Sequence, residues 1–416
     1  MMVDGAEERQ LKGPIEVLAP YTSPRRRVVQ REPRGGGPSR ARDGHPKEPP
    51  SASCELSSKN HSTAIGDAMR EEMTRRRVVV SSTDVVEVIT EAIPTLEPGE
   101  ALVEMLVSGL CGSDKAGVHG EHFFVKPPYY LGHEVVGVVV AIAGGVDNVD
   151  VGDRVTIEPS LVCGRCKPCR HQAENLCENL EFFGCGYREG GMADVFLAPA
   201  ARLYKIPNTF SDYQAALIEP LATPVHAVRL AGDLTGKTVA ILGAGTIGLL
   251  TLIAVRRAGA TKIVSTDTLA TKRDLALAMG ADAVVDAAVD DLAGVVREEL
   301  GESADVVFDC VATQVTLGEA TKMAIKGGTV VVLGGSRKPA TLDMPVIQEF
   351  QIRIQGATTY RWEDFDDAVD IIASDDFDAN RFITATFPLP RAAEAFAAIN
   401  AGGEVKILVV ADRDDR

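Results

Sequence analysis

Two hydrophobic rhythms divide the chain. From about Arg77 the apolar positions come in short β-branched runs: Val78–Val80, Val85–Ile89, Ala101–Ser108, Glu134–Ile142 and Arg154–Ile157. Gly, Pro and Asp break them, and Pro98-Gly99-Glu100 and Asp150-Val151-Gly152-Asp153 read as turns. This pattern predicts a compact β-barrel carrying loops. Near Ala215 the rhythm changes. Predicted strands Thr238–Leu242, Lys262–Thr266, Ala283–Val285, Asp305–Phe308, Thr329–Leu333 and Ile352–Gln355 alternate with helical stretches such as Thr271–Met279 and Leu317–Ile325. Such alternation predicts a doubly wound parallel sheet. Beyond about Thr358 come two amphipathic helices, Phe365–Ala373 and Arg391–Ala401, and a last strand, Lys406–Val410. That tail is expected to rejoin the first domain. The expected division is 77–219 for the barrel, 220–357 for the parallel sheet and 358–416 for the return.

Residues 1–76 follow neither rhythm. They are rich in Pro, Gly, Ser and Arg, and such composition cannot bury enough surface to offset chain entropy. A disordered extension is expected there, with Met69 and Met73 as alternative translation starts. The 416 residues carry a net charge of −16, while residues 1–76 alone are about +3. The acidic remainder does not suit a general nucleic-acid surface. The longest uncharged apolar stretch, Thr238–Val255, has the length of a membrane span but contains a Gly-x-Gly-x-x-Gly turn. A buried strand followed by a helix accounts for it better. No signal peptide is visible, so a cytoplasmic protein with reduced thiols is expected.

Four of the eight cysteines, Cys163, Cys166, Cys169 and Cys177, fall within fifteen residues in the pattern C-x₂-C-x₂-C-x₇-C. Four clustered thiolates can supply every donor of a tetrahedral zinc. Such a closed site (about 160–180) holds structure and does no chemistry, so any reaction lies elsewhere.

The predicted strand Thr238–Leu242 runs into Gly243-Ala-Gly245-Thr-Ile247-Gly248 and then a Leu- and Ala-rich helix. The motif alone is weak, but strand before and helix after is the context a dinucleotide fold requires. Gly243 permits the turn, Gly245 lets the backbone approach a pyrophosphate, and Gly248 lets helix and strand pack closely. Gly243, Gly245, Ile247 and Gly248 are thus candidate cofactor contacts. Asp267, at the end of the next strand, can accept from ribose hydroxyls and favours NAD over NADP, unless it is only a turn residue. Lys272 and Arg273 follow closely, and either could reach a 2′-phosphate.

A second donor group lies upstream: Cys111 in Gly109-Leu-Cys-Gly-Ser-Asp114, and His133 in Gly132-His-Glu-Val-Val-Gly137. Glu134 opens a strongly apolar run, and a buried acid there needs a partner, which a metal would provide. Gly132, His133, Glu134, Gly137, Ala143 and Val146 meet in full the pattern G-H-E-x₂-G-x₅-[GA]-x₂-[IVSAC]. With the order of Cys, Gly-His-Glu, four-Cys lobe and Gly-rich turn, residues 77–416 resemble the zinc-containing medium-chain alcohol dehydrogenases. Glu219-Pro220-Leu221 makes the chain most similar to their polyol and threonine dehydrogenase branch.

The resemblance implies an α/β fold with a GroES-like β-barrel catalytic domain and a Rossmann NAD-binding domain. It implies two zinc ions, one catalytic and one structural. Cys111 and His133 would be ligands of the catalytic zinc, Glu134 would ligate it directly or support a ligand, and Glu219 would bind the metal or its water. Ser113 matches the hydroxyl that passes the substrate proton outward. The implied reaction is oxidation of a secondary alcohol, a polyol or hydroxy-amino acid, with zinc steadying the alkoxide while hydride passes to NAD. A homodimer or homotetramer is implied, with no membrane or nucleic-acid partner. The chain departs from the family at Ala116, where a relay histidine often stands, and His119 or His122 could substitute. It departs again at Tyr360, preceded by Thr359 where sorbitol dehydrogenases place Arg, and followed by Arg361. Cys185 either lines the pocket or packs in the core. The competing readings are a metal-free quinone or enal reductase of the same fold, and a zinc-ribbon binding module.

Overall fold

The computed structural model describes residues 73–412 apart from Phe123, Ser336 and Arg337. The expectation for the N-terminal extension therefore lies almost wholly outside the described residues. Its last three residues do not belong to it: Thr74–Arg76 already form strand β1 (Thr74–Ser82). Their arginines hid the strand. Arg75 is buried, with its guanidinium on Glu91 at 2.7 Å and Glu189 at 2.8 Å.

The first sheet system contains β1, β2 (Val85–Ala92), β3 (Glu100–Gly109), β4 (Tyr129–Tyr130), β5 (Glu134–Ile142), β6 (Arg154–Ile157), β7 (Ser160–Leu161), β8 (Glu181–Phe182), β9 (Val195–Pro199) and β10 (Leu203–Lys205). β2, β1 and β4 make one small sheet, and β7 and β8 make a hairpin pair at the base of the cysteine lobe. The larger sheet runs β10-β6-β5-β3 and continues into strands from the far end of the chain. Alternate residues of these strands meet in one apolar core, with Val103, Met105, Val135, Val139, Phe183 and Phe196 nearly inaccessible.

The second sheet is six-stranded and parallel: β11 (Thr238–Leu242), β12 (Lys262–Asp267), β13 (Ala283–Asp286), β14 (Ala304–Asp309), β15 (Ala324–Val332) and β16 (Arg353–Gly356), in the order β13-β12-β11-β14-β15-β16. The order reverses between β11 and β14, and in such sheets ligands bind at that switch point, beyond the carboxyl ends of the strands. Apolar clusters cover both faces, one around Leu249 and Val255 of the helix Thr246–Arg257, the other around Val296 and Met323. The apolar stretch of membrane-span length is thus β11 plus this helix, and no helix among the described residues is long and apolar enough to cross a membrane.

Strand β15 begins at Ala324, five residues before the expected start. The pairing with β14 shifts between Ala304 and Val306, and Gly327 at φ +80° accommodates that irregularity. The helix Ile218–Ala231 leaves little trace in the sequence pattern. Pro220 lies in its first turn and Pro224 in its interior, yet Leu221, Ala222 and Val225 bury against the sheet and against the helix Trp362–Ile372. It also runs across position 219/220, where the sequence pattern suggested a domain border.

The last strands return. β17 (Ile383–Pro388) pairs parallel with β18 (Lys406–Val410), and β18 pairs antiparallel with β3 through Leu408–Gly109, Val409–Ser108 and Val410–Val107. The barrel is therefore closed by residues that follow the whole parallel sheet.

Close packing of β11 against its helix depends on Gly248. A Cβ there would lie 1.8 Å from the carbonyl oxygen of Gly243. Gly248→Ala is expected to push the helix off the strand and cost on the order of 1–3 kcal/mol. A lower urea midpoint together with weaker dinucleotide binding checks this; an unchanged midpoint would contradict the packing.

Candidate metal and dinucleotide sites

Cys111 follows the end of β3 and precedes the short helix Gly112–Val118, while His133 and Glu134 stand at the start of β5. Because β3 and β5 are antiparallel, with Gly109 opposite Glu134, the three residues converge. A thiolate, an imidazole and a carboxylate oxygen all lie within 4.8 Å of one another. The approach needs a glycine: a Cβ on Gly109 would fall 2.0 Å from Glu134 Oε2.

Around this cluster lie charges the sequence did not announce. Asp114 is fully buried, and its Oδ2 accepts from the Cys111 N–H at 2.9 Å. Its Oδ1 is 3.6 Å from His133 Nδ1, and neither atom has a hydrogen bond among the described residues. Burial pushes the Asp114 carboxyl up, with the His133 charge opposing. Burial works against a charged His133, but Asp114 and Cys111 outweigh it and hold the ring well above its usual value. The pocket is thus built to hold positive charge among soft and hard donors. This fits zinc, which accepts a mixed S, N and O set.

The Glu134 partner is Lys406, the first residue of β18. Its ammonium donates to Glu134 at 2.8 and 2.6 Å and to the Leu110 carbonyl at 3.1 Å, with both side chains buried. Both carboxylate oxygens are therefore engaged by an ammonium, whereas the sequence suggested that a metal would meet that need. A signal existed: Lys406 opens an apolar strand just as Glu134 does.

Glu219, in the first turn of the helix Ile218–Ala231, lies outside this three-residue group. It is buried, and Tyr360 donates its hydroxyl to Glu219 Oε1. Burial pushes its carboxyl up to about 7, with the charge of His133 pulling the other way. Ser113 is half-buried in the first turn of its helix, and Ala116 faces the interior. His119 is bound at both nitrogens, to Asp84 at 2.5 Å and Asn400 at 3.0 Å. His122 Nδ1 accepts from the N–H groups of Phe124 and Val125. Neither contact leads to the cluster. Cys185 is buried, bridged through its backbone to Leu131, and burial pushes its thiol up to about 12.

The four-cysteine lobe forms a second group, again with all sulfurs within 4.8 Å. Cys166 and Cys169 Sγ are 3.3 Å apart, and Cys163 N donates to Cys177 Sγ at 3.3 Å. No disulfide joins the described cysteines. Backbone N–H groups of Arg165 and Cys166 lower the Cys163 thiol to about 6, while burial and neighbouring sulfurs raise Cys169 to about 12. Four sulfurs this close cannot all ionise without a cation, and zinc fits them. The lobe is not isolated. Asn175, between its third and fourth cysteines, donates to the Thr358 carbonyl at 3.2 Å and meets His226 Nε2 at 3.3 Å. His226 Nδ1 in turn bonds Asp364 at 2.9 Å. Lobe, Glu219 helix and Tyr360 segment are thereby pinned together.

At the parallel sheet, Gly243 (φ +91°) and Gly245 form the turn after β11, and Ile247 and Gly248 lie in the first turn of the helix it opens. Asp267 ends β12 beside it, its Oδ2 accepting from Ala244 N and its Oδ1 from Leu269 N, both at 2.9 Å. Arg273 is committed to the carbonyls of Asp267 and Thr268 and to Asp286 at 3.1 Å. Lys272 lies one position earlier in the helix Ala270–Ala278, half-buried.

Comparison with known proteins agrees with this architecture. Residues 97–208 match the alcohol dehydrogenase GroES-like domain and residues 246–374 the zinc-binding dehydrogenase domain. Probable D-xylulose reductase A of Aspergillus clavatus is 35% identical over 332 residues, 77% of this chain and 92% of that protein. Among solved structures, a candidate zinc-binding dehydrogenase from Sinorhizobium meliloti 1021 bound to NADP is 35% identical at TM-score 0.76, covering 82% of this chain and 100% of that one. 2R,3R-butanediol dehydrogenase from Bacillus subtilis is 28% identical at TM-score 0.75, covering 81% and 100%.

Structural zinc contributes folding free energy. Cys166→Ser is expected to remove one metal per chain and lower the melting temperature. Metal analysis beside a melting curve checks it; two zincs and an unchanged melt would remove the lobe from the list of metal sites.

Proposed function

The chain belongs to the zinc-binding alcohol dehydrogenase family, and from that premise we propose that it oxidises a secondary alcohol of the polyol type with NAD. The observation that carries this is the convergence of Cys111, His133 and Glu134 within 4.8 Å, in a chain whose parallel sheet presents a complete dinucleotide turn. A metal-free reductase of this fold has no use for such a cluster. An adaptor module has no use for the turn.

In this reading Cys111 and His133 hold the catalytic zinc, which when bound supplies Lewis acidity that brings a substrate hydroxyl within reach of deprotonation near neutral pH. The residues Gly243–Gly248 would hold NAD, which when bound would supply the hydride acceptor. Asp114 orients the His133 ring from behind. Glu219 closes the pocket, and its carboxyl, with Tyr360 donating to it, can hold a proton at Oε1 or Oε2 near neutral pH. Ser113 Oγ carries the substrate proton outward. Beyond it the methyl of Ala116 cannot continue a relay, and His119 is committed elsewhere, so the proton leaves through solvent. Relatives named for D-xylulose and 2R,3R-butanediol support a secondary carbon flanked by a second hydroxyl. A homodimer or homotetramer in the cytoplasm completes the reading, by family likeness.

Cys111→Ser is expected to abolish turnover while leaving the fold and dinucleotide binding nearly intact, because only the barrel cluster loses a donor. Zinc analysis with an NAD-reduction screen over diols, sugar alcohols and L-threonine tests the assignment. Wild type should hold two zincs per chain and the variant one. Full turnover in a zinc-loaded variant would end it.

Asp267→Ser is expected to weaken NAD about tenfold or more, since a charged hydrogen-bond partner contributes roughly 1.5–3 kcal/mol. It should also relax the preference against NADP, with Lys272 in the following helix and Arg273 already engaged. The ratio of kcat/KM for the two cofactors in both proteins decides. A wild type that prefers NADP would overturn the role of Asp267.

A further inference from the structure

Thr246 opens the helix Thr246–Arg257, where the first N–H groups have no partner within the helix and are the natural seat of a phosphate. Its hydroxyl does not cap that helix. It reaches across to the other sheet system and donates to the carbonyl of Val405. Val405 is the residue before Lys406, and the two are held firmly. Val405 N donates to Thr384 Oγ1 and Lys406 N to the Phe382 carbonyl, both at 3.0 Å. From there the Lys406 ammonium spans Leu110 O and both oxygens of Glu134. One hydroxyl, one peptide unit and one ion pair thus connect the dinucleotide turn with the metal donors.

Glu134 gives this connection something to act on. Its carboxylate faces the Lys406 ammonium at 2.6 Å, and it also lies within 4.8 Å of the Cys111 and His133 donor atoms. It therefore has two partners to choose between, an ammonium and a cation held by those donors. Coupling between sites requires a two-state element of this kind, biased differently by each ligand.

We propose that Thr246 is a positioning residue that couples occupancy of the dinucleotide turn to the placement of Glu134 at the metal cluster, through Val405 and Lys406. The inference rests on the metal-site reading above. A phosphate on the N–H groups of the turn fixes Thr246. Its hydroxyl then anchors Val405, which keeps Lys406 on Glu134 and Glu134 away from the metal, leaving room for substrate. Without the hydroxyl the start of β18 is released from the turn, and Glu134 moves toward the cation. By reciprocity, the metal and the dinucleotide then cease to sense each other's binding.

The test uses the whole protein loaded with cobalt(II), whose visible bands report its donor set, read as NADH is added. Thr246→Val keeps the shape and removes the donor; Thr246→Ser keeps the donor. Differences between variants isolate the barrel metal, since the four-cysteine lobe is common to all. Wild type and Thr246→Ser should show bands that shift as NADH saturates. Thr246→Val should start from altered bands, lose the NADH response and bind NADH about 3–10-fold more weakly, as expected for one lost hydrogen bond. Identical bands and an identical NADH response in wild type and Thr246→Val would overturn the coupling. A Cys111→Ser protein serves as the separate check. If its cobalt bands match wild type, the metal does not bind this cluster and the site reading itself falls. If they are lost while Thr246→Val behaves as wild type, only the coupling falls.

Discussion

The buried pair between Glu134 and Lys406 is the constraint on which the two halves of the site depend. It joins residues 272 apart in sequence, with both side chains essentially inaccessible. Taking two charges from water is expensive, and leaving either alone inside generally costs about 3–5 kcal/mol more. The pair therefore forms only if β18 lies against β3 in the observed register, with Gly109 leaving space for the carboxylate. That register also sets where Cys111 and His133 meet. The geometry of the donor cluster and barrel closure are two readings of one arrangement.

A second set of contacts acts from the opposite side. Asn175 ties the cysteine lobe to His226 and to the carbonyl of Thr358, while Tyr360, two residues on, bonds Glu219. A lobe with no reactive role of its own thus lies in contact with the helix and the segment that wall the pocket. Asp364 anchors this set, bonded to both His226 and Arg229, each at 2.9 Å. The lobe is thus tied to the Glu219 helix and the Tyr360 segment by hydrogen bonds.

Much of the molecule was legible because its signals are local. The run Glu134–Ile142 is a strand on β-branched content alone, and Gly243 to Gly248 needs only its neighbours to be recognised. What stayed hidden depends on distant partners. Glu134 asked for a counter-charge, but nothing near it in sequence indicated Lys406. Asp114 stands three residues from Cys111, yet nothing local announced its complete burial, with Oδ1 3.6 Å from His133 Nδ1 at the start of β5. Thr74–Arg76 looked like the polar extension because Arg75 is buried on Glu91 and Glu189, and Arg76 pairs with Asp194 and Asp412, partners that come later in the chain. The helix Ile218–Ala231 was masked by two prolines that local propensity counts against and packing outweighs.

The return of β18 to β3 also imposes an order on biosynthesis. When residues 74–205 have emerged from the ribosome, the barrel has most of its strands, but β3 lacks a neighbour along Val107–Gly109 and Glu134 lacks its counter-charge. Neither is supplied until the entire parallel sheet has been made. A nascent chain of this protein thus carries an unfinished edge through the synthesis of its second half. Completion of the Cys111, His133 and Glu134 cluster is accordingly a late event, gated by a strand that the ribosome delivers after every strand of the parallel sheet.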